Sequence, residues 1–120
     1  MINMKKVIIV EGKSDKQKVE KIVREPVDII CTNGTIGVSK LDELLDELMD
    51  KDVYILVDAD KSGDKIRKQF KRELPEAEFL YIDRKYKEVA ASPECHLATL
   101  LLQADIEIEA KYLDTRMNGL

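Results

Sequence analysis

Hydrophobic residues along the chain form short runs that alternate with segments of helical spacing. The run Val7–Val10 is β-branched, ends at Glu11-Gly12 and is typical of a buried strand in a parallel sheet. In the segment after Ser39, apolar residues recur at positions i, i+3, i+4, i+7 and i+8, which predicts an amphipathic helix. Together the two patterns predict strands at 7–10, 27–31, 53–57 and 78–82, and helices at about 14–25, 39–49, 62–72 and from 92 onward.

Strands and helices alternate four times with mostly short connections, which indicates βαβ units with right-handed crossovers. The predicted fold is an α/β, Rossmann-like three-layer sandwich, in which a mostly parallel sheet of about four strands is flanked by helices. A length of 120 residues fits one domain. We expect Ser39 to cap the second helix and the pair Ser92-Pro93 to begin the fourth. Near the end of the chain the pattern is ambiguous, because Ile106 and Ile108 alternate as in an edge strand.

The composition is that of an ordinary globular protein, with 44% hydrophobic and 37% charged residues. The 20 Lys and Arg residues and 24 Asp and Glu residues give a net charge of −4, which argues against a protein that coats nucleic acid nonspecifically. The charge is unevenly distributed. Residues 40–60 include two basic and eight acidic residues (−6), whereas residues 61–87 include nine basic and five acidic residues (+4). We therefore expect the chemistry of the protein near the junction of these two segments.

The two cysteines, Cys31 and Cys95, are far apart in the sequence and form no CxxC motif. In a chain without a secretory signal we expect them to be reduced, buried thiols of a cytoplasmic protein. Apolar runs are too short to span a membrane, so we expect no membrane association. The single histidine, His96, lies among leucines and is more typical of a structural residue, so any bound metal should have oxygen ligands.

Three acidic residues follow predicted strands: Glu11 follows the first, and Asp58 and Asp60 follow the third. Ligands bind at the carboxyl ends of strands in open α/β sheets, and neighbouring strands lie about 5 Å apart. If the first and third strands are neighbours, the three carboxylates share one small volume and need either raised pKa values or a cation. Mg²⁺, with Mn²⁺ as a substitute, suits carboxylate ligands. Taken alone, Asp60 is better interpreted as a helix cap, and only the three acids together favour a metal site.

Lysines lie close to these acidic residues in the sequence. Lys13, Lys61 and Lys65 are each within about one helical turn of an acid, which makes them candidates for binding phosphate oxygens. Carboxylates that bind a metal, with cations beside them for phosphate, suit phosphoryl-transfer chemistry. Three further basic residues of the third helix fit a solvated helix face better: Lys68, Lys71 and Arg72.

The turn Asn33-Gly34-Thr35 follows the second strand and is expected at the same edge of the sheet. Gly34 permits left-handed backbone and a close approach of phosphate to N–H groups, although an ordinary turn explains it equally well. The sequence has neither the GxxxxGK[ST] motif of a P-loop nor the GxGxxG motif of dinucleotide-binding folds. A Ser-His-Asp hydrolase is not expected, because no histidine stands at a matching spacing from Ser14 or Ser62.

Residues 8–15 have the sequence IIVEGKSD, residues 33–35 NGT, and residues 55–63 ILVDADKSG. In this order the motifs resemble the Toprim domain, the catalytic fold shared by topoisomerases, bacterial primases and certain nucleases. The resemblance covers about residues 4–103 and leaves 104–120 as a C-terminal extension of a single domain. The chain also resembles the small stand-alone Toprim proteins of bacteria. The turn after the second strand also resembles that of the Toprim ribonuclease that matures ribosomal RNA.

The resemblance implies roles for the three acids. Glu11 matches the glutamate of the family, a general acid/base or metal ligand, and Asp58 and Asp60 match its Asp-x-Asp, which binds Mg²⁺. Ser62 stands where topoisomerases have a third acid, which leaves the number of metal ions open. The length of the chain argues against a topoisomerase with its nucleophilic tyrosine and against a complete primase with its zinc-binding domain.

The hypothesis that best joins these features is an Mg²⁺-dependent phosphoryl-transfer enzyme that acts on nucleic acid, of the nuclease type, with RNA as one candidate substrate. The alternative is a non-catalytic Toprim module that binds nucleic acid or a protein partner. If the protein is an enzyme, a protein partner is a candidate for providing additional substrate binding. A receiver domain is disfavoured, because it needs an acidic pair after the first strand and a lysine after a fifth.

Overall fold

The computed structural model describes residues 5–34 and 36–113, in which strands and helices alternate as the sequence predicts. Thr35 and residues 114–120, parts of the turn and of the C-terminal extension considered above, lie outside the described residues. The elements are β1 (Lys6–Val10), α1 (Lys13–Ile22), β2 (Asp28–Cys31), α2 (Val38–Leu48), β3 (Asp52–Leu56), α3 (Lys61–Glu73), β4 (Glu78–Leu80), α4 (Glu94–Gln103) and a 3₁₀ helix (Ala110–Tyr112).

The four strands form one parallel sheet in the order β2-β1-β3-β4. β1 and β3 are therefore neighbours, with Ile9 opposite Ile55, and this adjacency is the one that a shared acidic site requires. The apolar sequence of β1 reflects burial on both faces, since Val7–Val10 are at most 2% exposed. β4 ends at Leu80, earlier than predicted, and as an edge strand it pairs with β3 alone.

Successive side chains of the strands pack into two separate hydrophobic layers. Ile8 belongs to the layer between the sheet and the pair α1 and α4, whereas Ile9 belongs to the layer between the sheet and the pair α2 and α3. The predicted three-layer α/β sandwich is therefore confirmed. None of the helices in the described residues combines the length and apolar character needed to cross a membrane.

α1 ends at Ile22, earlier than the predicted end near Glu25. The chain leaves the helix because Val23 pairs with Ile108 in an isolated antiparallel bridge. Ile106 and Ile108 are both buried, and their alternation reflects packing against the first hydrophobic layer rather than a strand of the sheet.

Two predicted helix caps are wrong. The N-cap of α2 is Gly37, so Ser39 lies inside the first turn, after Val38. The N-cap of α4 is Pro93, so Ser92 lies one residue before the cap, where its hydroxyl donates to the carbonyl of Glu88 in the preceding loop.

Candidate functional site

The carboxyl ends of β1 and β3 bring Glu11, Asp58 and Asp60 together, as expected for neighbouring strands. One carboxylate oxygen of each residue lies within 4.8 Å of the others, and all three residues are half-buried. In the described part of the chain, this is the one group of three or more His, Cys, Asp or Glu side chains close enough to bind a metal ion together.

Glu11 is held by the backbone of the neighbouring strand. Its Oε1 accepts a hydrogen bond from the N–H of Asp58 at 2.9 Å, which fixes the side chain across the β1–β3 pair. Its Oε2 accepts a longer hydrogen bond, of 3.3 Å, from the hydroxyl of Ser62. Because a long hydrogen bond is weak, Oε2 is the oxygen that a ligand or a proton can reach at least cost.

Each aspartate uses one carboxylate oxygen for a backbone N–H. Asp58 Oδ1 accepts from Val89 at 2.8 Å, and Asp60 Oδ1 accepts from Gly63 at 2.8 Å as the N-cap of α3. The simpler interpretation of Asp60 as a helix cap is therefore correct. It is compatible with a ligand site, because the cap uses Oδ1 and leaves Oδ2 out of that bond.

The start of α3 lies against the backbone of Asp58, which requires glycine at position 63. A Cβ atom on Gly63 would lie 1.9 Å from the carbonyl oxygen of Asp58, far inside van der Waals contact. Since the oxygen is a backbone atom and the position of a Cβ is fixed by its own backbone, relief would require moving the end of β3 or the start of α3. The close approach fixes the spacing between the two aspartates of the site.

The surroundings of Asp58 change its pKa. Burial, followed by the charges of Glu11, Asp15 and Asp60, raises the pKa of Asp58 from 3.8 to about 6, although the hydrogen bond from Val89 acts in the opposite direction. Near neutral pH the site therefore carries several negative charges close together. Such a site is stabilised by a proton or by a cation.

Asp15 is an acidic residue that our sequence analysis does not single out as part of the site. It is 6% exposed in the first turn of α1, and its Oδ2 accepts from the N–H of Gly12 at 3.1 Å. Burial raises the pKa of Asp15. The hydrogen bond fixes the turn that directly follows Glu11. The sequence signal for this role is an acid three residues after the N-cap, the spacing of a capping box.

Residues 6–91 match the Toprim domain family model. The chain belongs to the Toprim family. It is 57% identical over 119 residues to the uncharacterized protein YusF of Bacillus subtilis, an alignment that covers 99% of this chain and 82% of that protein. The solved structure of a small TOPRIM domain protein from Bacillus stearothermophilus matches with a TM-score of 0.88 at 57% identity, over 93% of this chain and 95% of that one. The Toprim resemblance of the sequence motifs is thus confirmed.

More distant relatives of this Toprim protein are ribonucleases. Ribonuclease M5 of Mycoplasma genitalium is 35% identical over 78 residues, which are 64% of this chain and 43% of the ribonuclease. Ribonuclease M5 of Staphylococcus aureus has the same identity and coverage. The chain therefore spans less than half the length of these ribonucleases.

The donor atoms of the Toprim site fit a hard divalent cation. All three side chains of the group, Glu11, Asp58 and Asp60, offer carboxylate oxygens, the ligand type that Mg²⁺ and Mn²⁺ prefer. Burial raises the pKa of Asp58, and the negative charges of Glu11, Asp15 and Asp60 raise it further, so compensation of these charges would favour the ionised form. A divalent cation would supply that compensation.

Of the predicted phosphate-binding residues, Lys13 lines an open cleft of about 670 Å³ on the β2 side of the Toprim site, together with Lys16 and Asn33. Gly34 lies in the adjoining turn, outside the lining of this cleft. Its φ of 100° and the φ of 56° at Asn33 confirm the left-handed backbone expected of this turn.

On the β4 side, Lys61 lines a second cleft, of about 520 Å³, together with Asp60, Arg84 and Lys87. Lys65 is exposed on α3 and does not line this cleft. Arg84 and Lys87 are not among the phosphate-binding residues predicted from the sequence. The available signal is their position after β4, whose carboxyl end lies at the same edge of the sheet as the carboxylates.

The β4–α4 segment (residues 81–93) is tied to the Toprim site by its backbone. The N–H of Ala59 donates to the carbonyl of Lys87 at 2.7 Å. The N–H of Val89 also donates to Asp58 Oδ1, as described above. Lys18 Nζ on α1 donates to the carbonyl of Ala90 at 2.9 Å and holds the segment from its other side. The segment therefore positions one of the three carboxylates.

The two cysteines and the histidine lie outside the group of three carboxylates. Cys31 and Cys95 are unbonded, as expected, but half-buried rather than buried. His96 Nε2 accepts from the N–H of Asp83 at 3.0 Å, and its ring centroid lies 5.2 Å from that of Tyr86. These contacts agree with the structural interpretation of the histidine.

Proposed function

We propose that this Toprim protein binds Mg²⁺ through Glu11, Asp58 and Asp60 and cleaves phosphodiester bonds of nucleic acid, with RNA as the first substrate to test. The observation that carries the proposal is the approach of three carboxylate oxygens to within 4.8 Å at the carboxyl edge of the sheet. The similarity to ribonuclease M5 proteins supports a nuclease and favours RNA. Mn²⁺ should substitute for Mg²⁺, because it takes the same oxygen ligands.

The three carboxylates would have different roles in the reaction. Asp58 and Asp60 would bind the cation, which when bound would act as a Lewis acid on a phosphate oxygen. Glu11 would complete the ligand set or move a proton at Oε2, the oxygen with the longer hydrogen bond.

Phosphate would be bound by the cations on both sides of the carboxylates. Lys61 lines the β4-side cleft beside Asp60, and Lys13 lines the β2-side cleft. Lys65 is exposed on α3 and would act at longer range, and the turn at Gly34 would offer backbone N–H groups to a phosphate.

Cleavage of a labelled RNA hairpin tests the proposal, with Mg²⁺ and with EDTA, and with single-stranded and duplex DNA for comparison. We expect cleavage with Mg²⁺ alone, and a loss of at least about 100-fold in Glu11→Gln and Asp58→Asn. Asp46→Asn, an exposed acid on α2, is the matched control and should retain activity. Equal cleavage by all four proteins would contradict the assignment.

The second candidate function is a Toprim module that binds nucleic acid or a protein partner without chemistry. It is favoured by the net charge of −4, which is unusual for a protein that acts on nucleic acid through charge alone. RNA binding without cleavage under any divalent cation, or a partner that co-purifies stably, would support the module and count against the nuclease.

A further inference from the structure

Tyr81 follows β4 at the edge of the sheet that carries the three carboxylates. Leu80 is paired with Leu56, so Tyr81 is level with Val57, the residue before Asp58. Adjacent strands lie about 4.8 Å apart, which places the backbone of Tyr81 one strand away from the site. The residue is 52% exposed.

Arg67 of α3 lies against the Tyr81 ring, with its guanidinium carbon 4.9 Å from the ring centroid. Arg67 is only 6% exposed and is itself fixed, because Nη2 donates to the carbonyl of Val57 at 3.1 Å and Nη1 donates to Asp64 at 2.9 Å. Lys71, one turn further along α3, has its Nζ 6.0 Å from the same centroid, so two cations of this helix lie over the ring, and 52% of the residue remains exposed. A rigid aromatic face binds a planar ligand with little loss of conformational entropy.

The charges beside this ring fit a polyanion. The neighbouring cleft is lined by three basic residues, Lys61, Arg84 and Lys87, and by two acidic residues, Asp60 and Asp64, a sum of +1. Residues 61–87 as a whole include nine basic and five acidic residues (+4). A second copy of the chain, placed symmetrically against this face, would bring the same positive charge, which disfavours self-association here. Nucleic acid is complementary to both the basic side chains and the aromatic ring, since its phosphates pair with cations and its bases stack on aromatic rings.

We propose that Tyr81 is a stacking platform for an unpaired nucleobase of the nucleic acid on which the carboxylate site acts. This inference rests on the proposed function and adds a preference for substrate structure. A base inside a duplex already has both faces stacked, whereas a base in a loop or single strand offers a free face. Tyr81 would thus select a single-stranded or looped nucleotide close to the scissile phosphate.

A fluorescence experiment without divalent cations tests the platform separately from catalysis. The chain has no Trp, so Tyr81→Trp introduces a single indole while keeping an aromatic ring against Arg67. With EDTA present, single-stranded RNA should quench its emission, and a blunt duplex of equal length should not. Met49→Trp is the matched control, because Met49 is 79% exposed at the C-terminal end of α2, and its emission should not change with either nucleic acid.

Binding measured by fluorescence anisotropy gives the second readout. Tyr81→Ala should weaken binding of single-stranded RNA by about 5- to 100-fold, and Tyr81→Phe should stay within about two-fold of the original protein. Duplex binding should change little in either variant. Thermal denaturation identifies any loss of folding in the Ala variant. If that variant is unfolded, the fluorescence of Tyr81→Trp, which retains an aromatic ring, tests the platform instead.

The outcomes separate the platform from the proposed function. Unquenched emission together with unchanged affinity in Tyr81→Ala would overturn the platform even if Mg²⁺-dependent cleavage is found. Quenching by single-stranded RNA without cleavage under any divalent cation would support the platform and refute the nuclease. An emission change that depends on protein concentration without nucleic acid would overturn the platform in favour of self-association.

Discussion

Replacing Asp58 by Asn should stabilise the protein when no divalent cation is present and should also remove its response to Mg²⁺. The two effects have the same cause, because Asp58 is a partly buried carboxylate beside Glu11, Asp15 and Asp60. The Asn side chain removes the charge, and its amide oxygen can still accept the hydrogen bond from Val89.

The magnitude follows from the pKa of Asp58, which rises from 3.8 to about 6. The full effect of about two pKa units would be about 3 kcal/mol at high pH. Because Asp58 is only half-buried, solvent screening reduces this to about 1–2 kcal/mol. In a domain of this size that corresponds to an increase of about 3–8 °C in Tm.

The effect also has a defined pH dependence. Between pH 4 and 6 the folded protein retains a proton on Asp58 that the unfolded chain has released, so the contribution of Asp58 to stability falls as pH rises through this window. The advantage of Asp58→Asn should therefore be largest at pH 8 and should shrink at pH 4.5. Mg²⁺ should stabilise the original protein at pH 8, by about 1.4 kcal/mol at a concentration ten times its Kd, and less at pH 5.

Urea denaturation of Asp58→Asn, the original protein and Asp46→Asn, at pH 4.5 and 8 and with EDTA or Mg²⁺, measures these differences. Asp46 is exposed on α2, so its substitution controls for the loss of a negative charge alone. Equal stability gains in both variants would refute the argument from crowding. Equal stabilisation of Asp58→Asn and the original protein by Mg²⁺ would refute Asp58 as a ligand.

Three further predictions concern the surroundings of the site. Gly63→Ala should destabilise the fold by more than about 3 kcal/mol in urea denaturation, because its Cβ would lie 1.9 Å from a backbone oxygen, whereas Gly37→Ala has open space and should cost less than about 1 kcal/mol. Lys18→Met removes two charged hydrogen bonds to the β4–α4 segment, to the carbonyls of Ala90 and Ser92, and should speed hydrogen exchange of the Val89 amide about 5- to 30-fold; unchanged exchange would contradict the anchoring role. Lys61→Ala should reduce the slope of log affinity against log salt for single-stranded RNA by about 0.7, and an unchanged slope would exclude a phosphate contact.

The sequence is sufficient to predict the fold because its strongest patterns lie in the two central strands. β1 and β3 are buried on both faces, so their apolar runs are continuous and their ends are marked by the acidic residues that follow. The end of α1 is not predictable in this way. It depends on the bridge between Val23 and Ile108, which are separated by most of the chain, and local periodicity contains no information about such a pairing.

The same distinction applies to the site. Glu11, Asp58 and Asp60 are predictable because each follows a strand, and parallel strands end at one edge of the sheet. The contributions of Val89 and of the Arg67–Tyr81 pair are not predictable. They depend on the path of the β4–α4 segment, which has no hydrophobic periodicity of its own. They also depend on the burial of Arg67, a residue type that is mostly exposed in proteins.

The hydrogen bond from the Asp58 N–H to Glu11 joins residues 47 positions apart, with α1, β2 and α2 between them. A site of this kind does not exist in any locally folded fragment, because it forms only when β1 and β3 pair. A cation bound there would stabilise the complete sheet and contribute little to the early, local steps of folding. Its effect should therefore be found mainly in a slower unfolding rate, with the refolding rate almost unchanged. The metal ion would then also determine how long the folded chain resists unfolding and proteolysis.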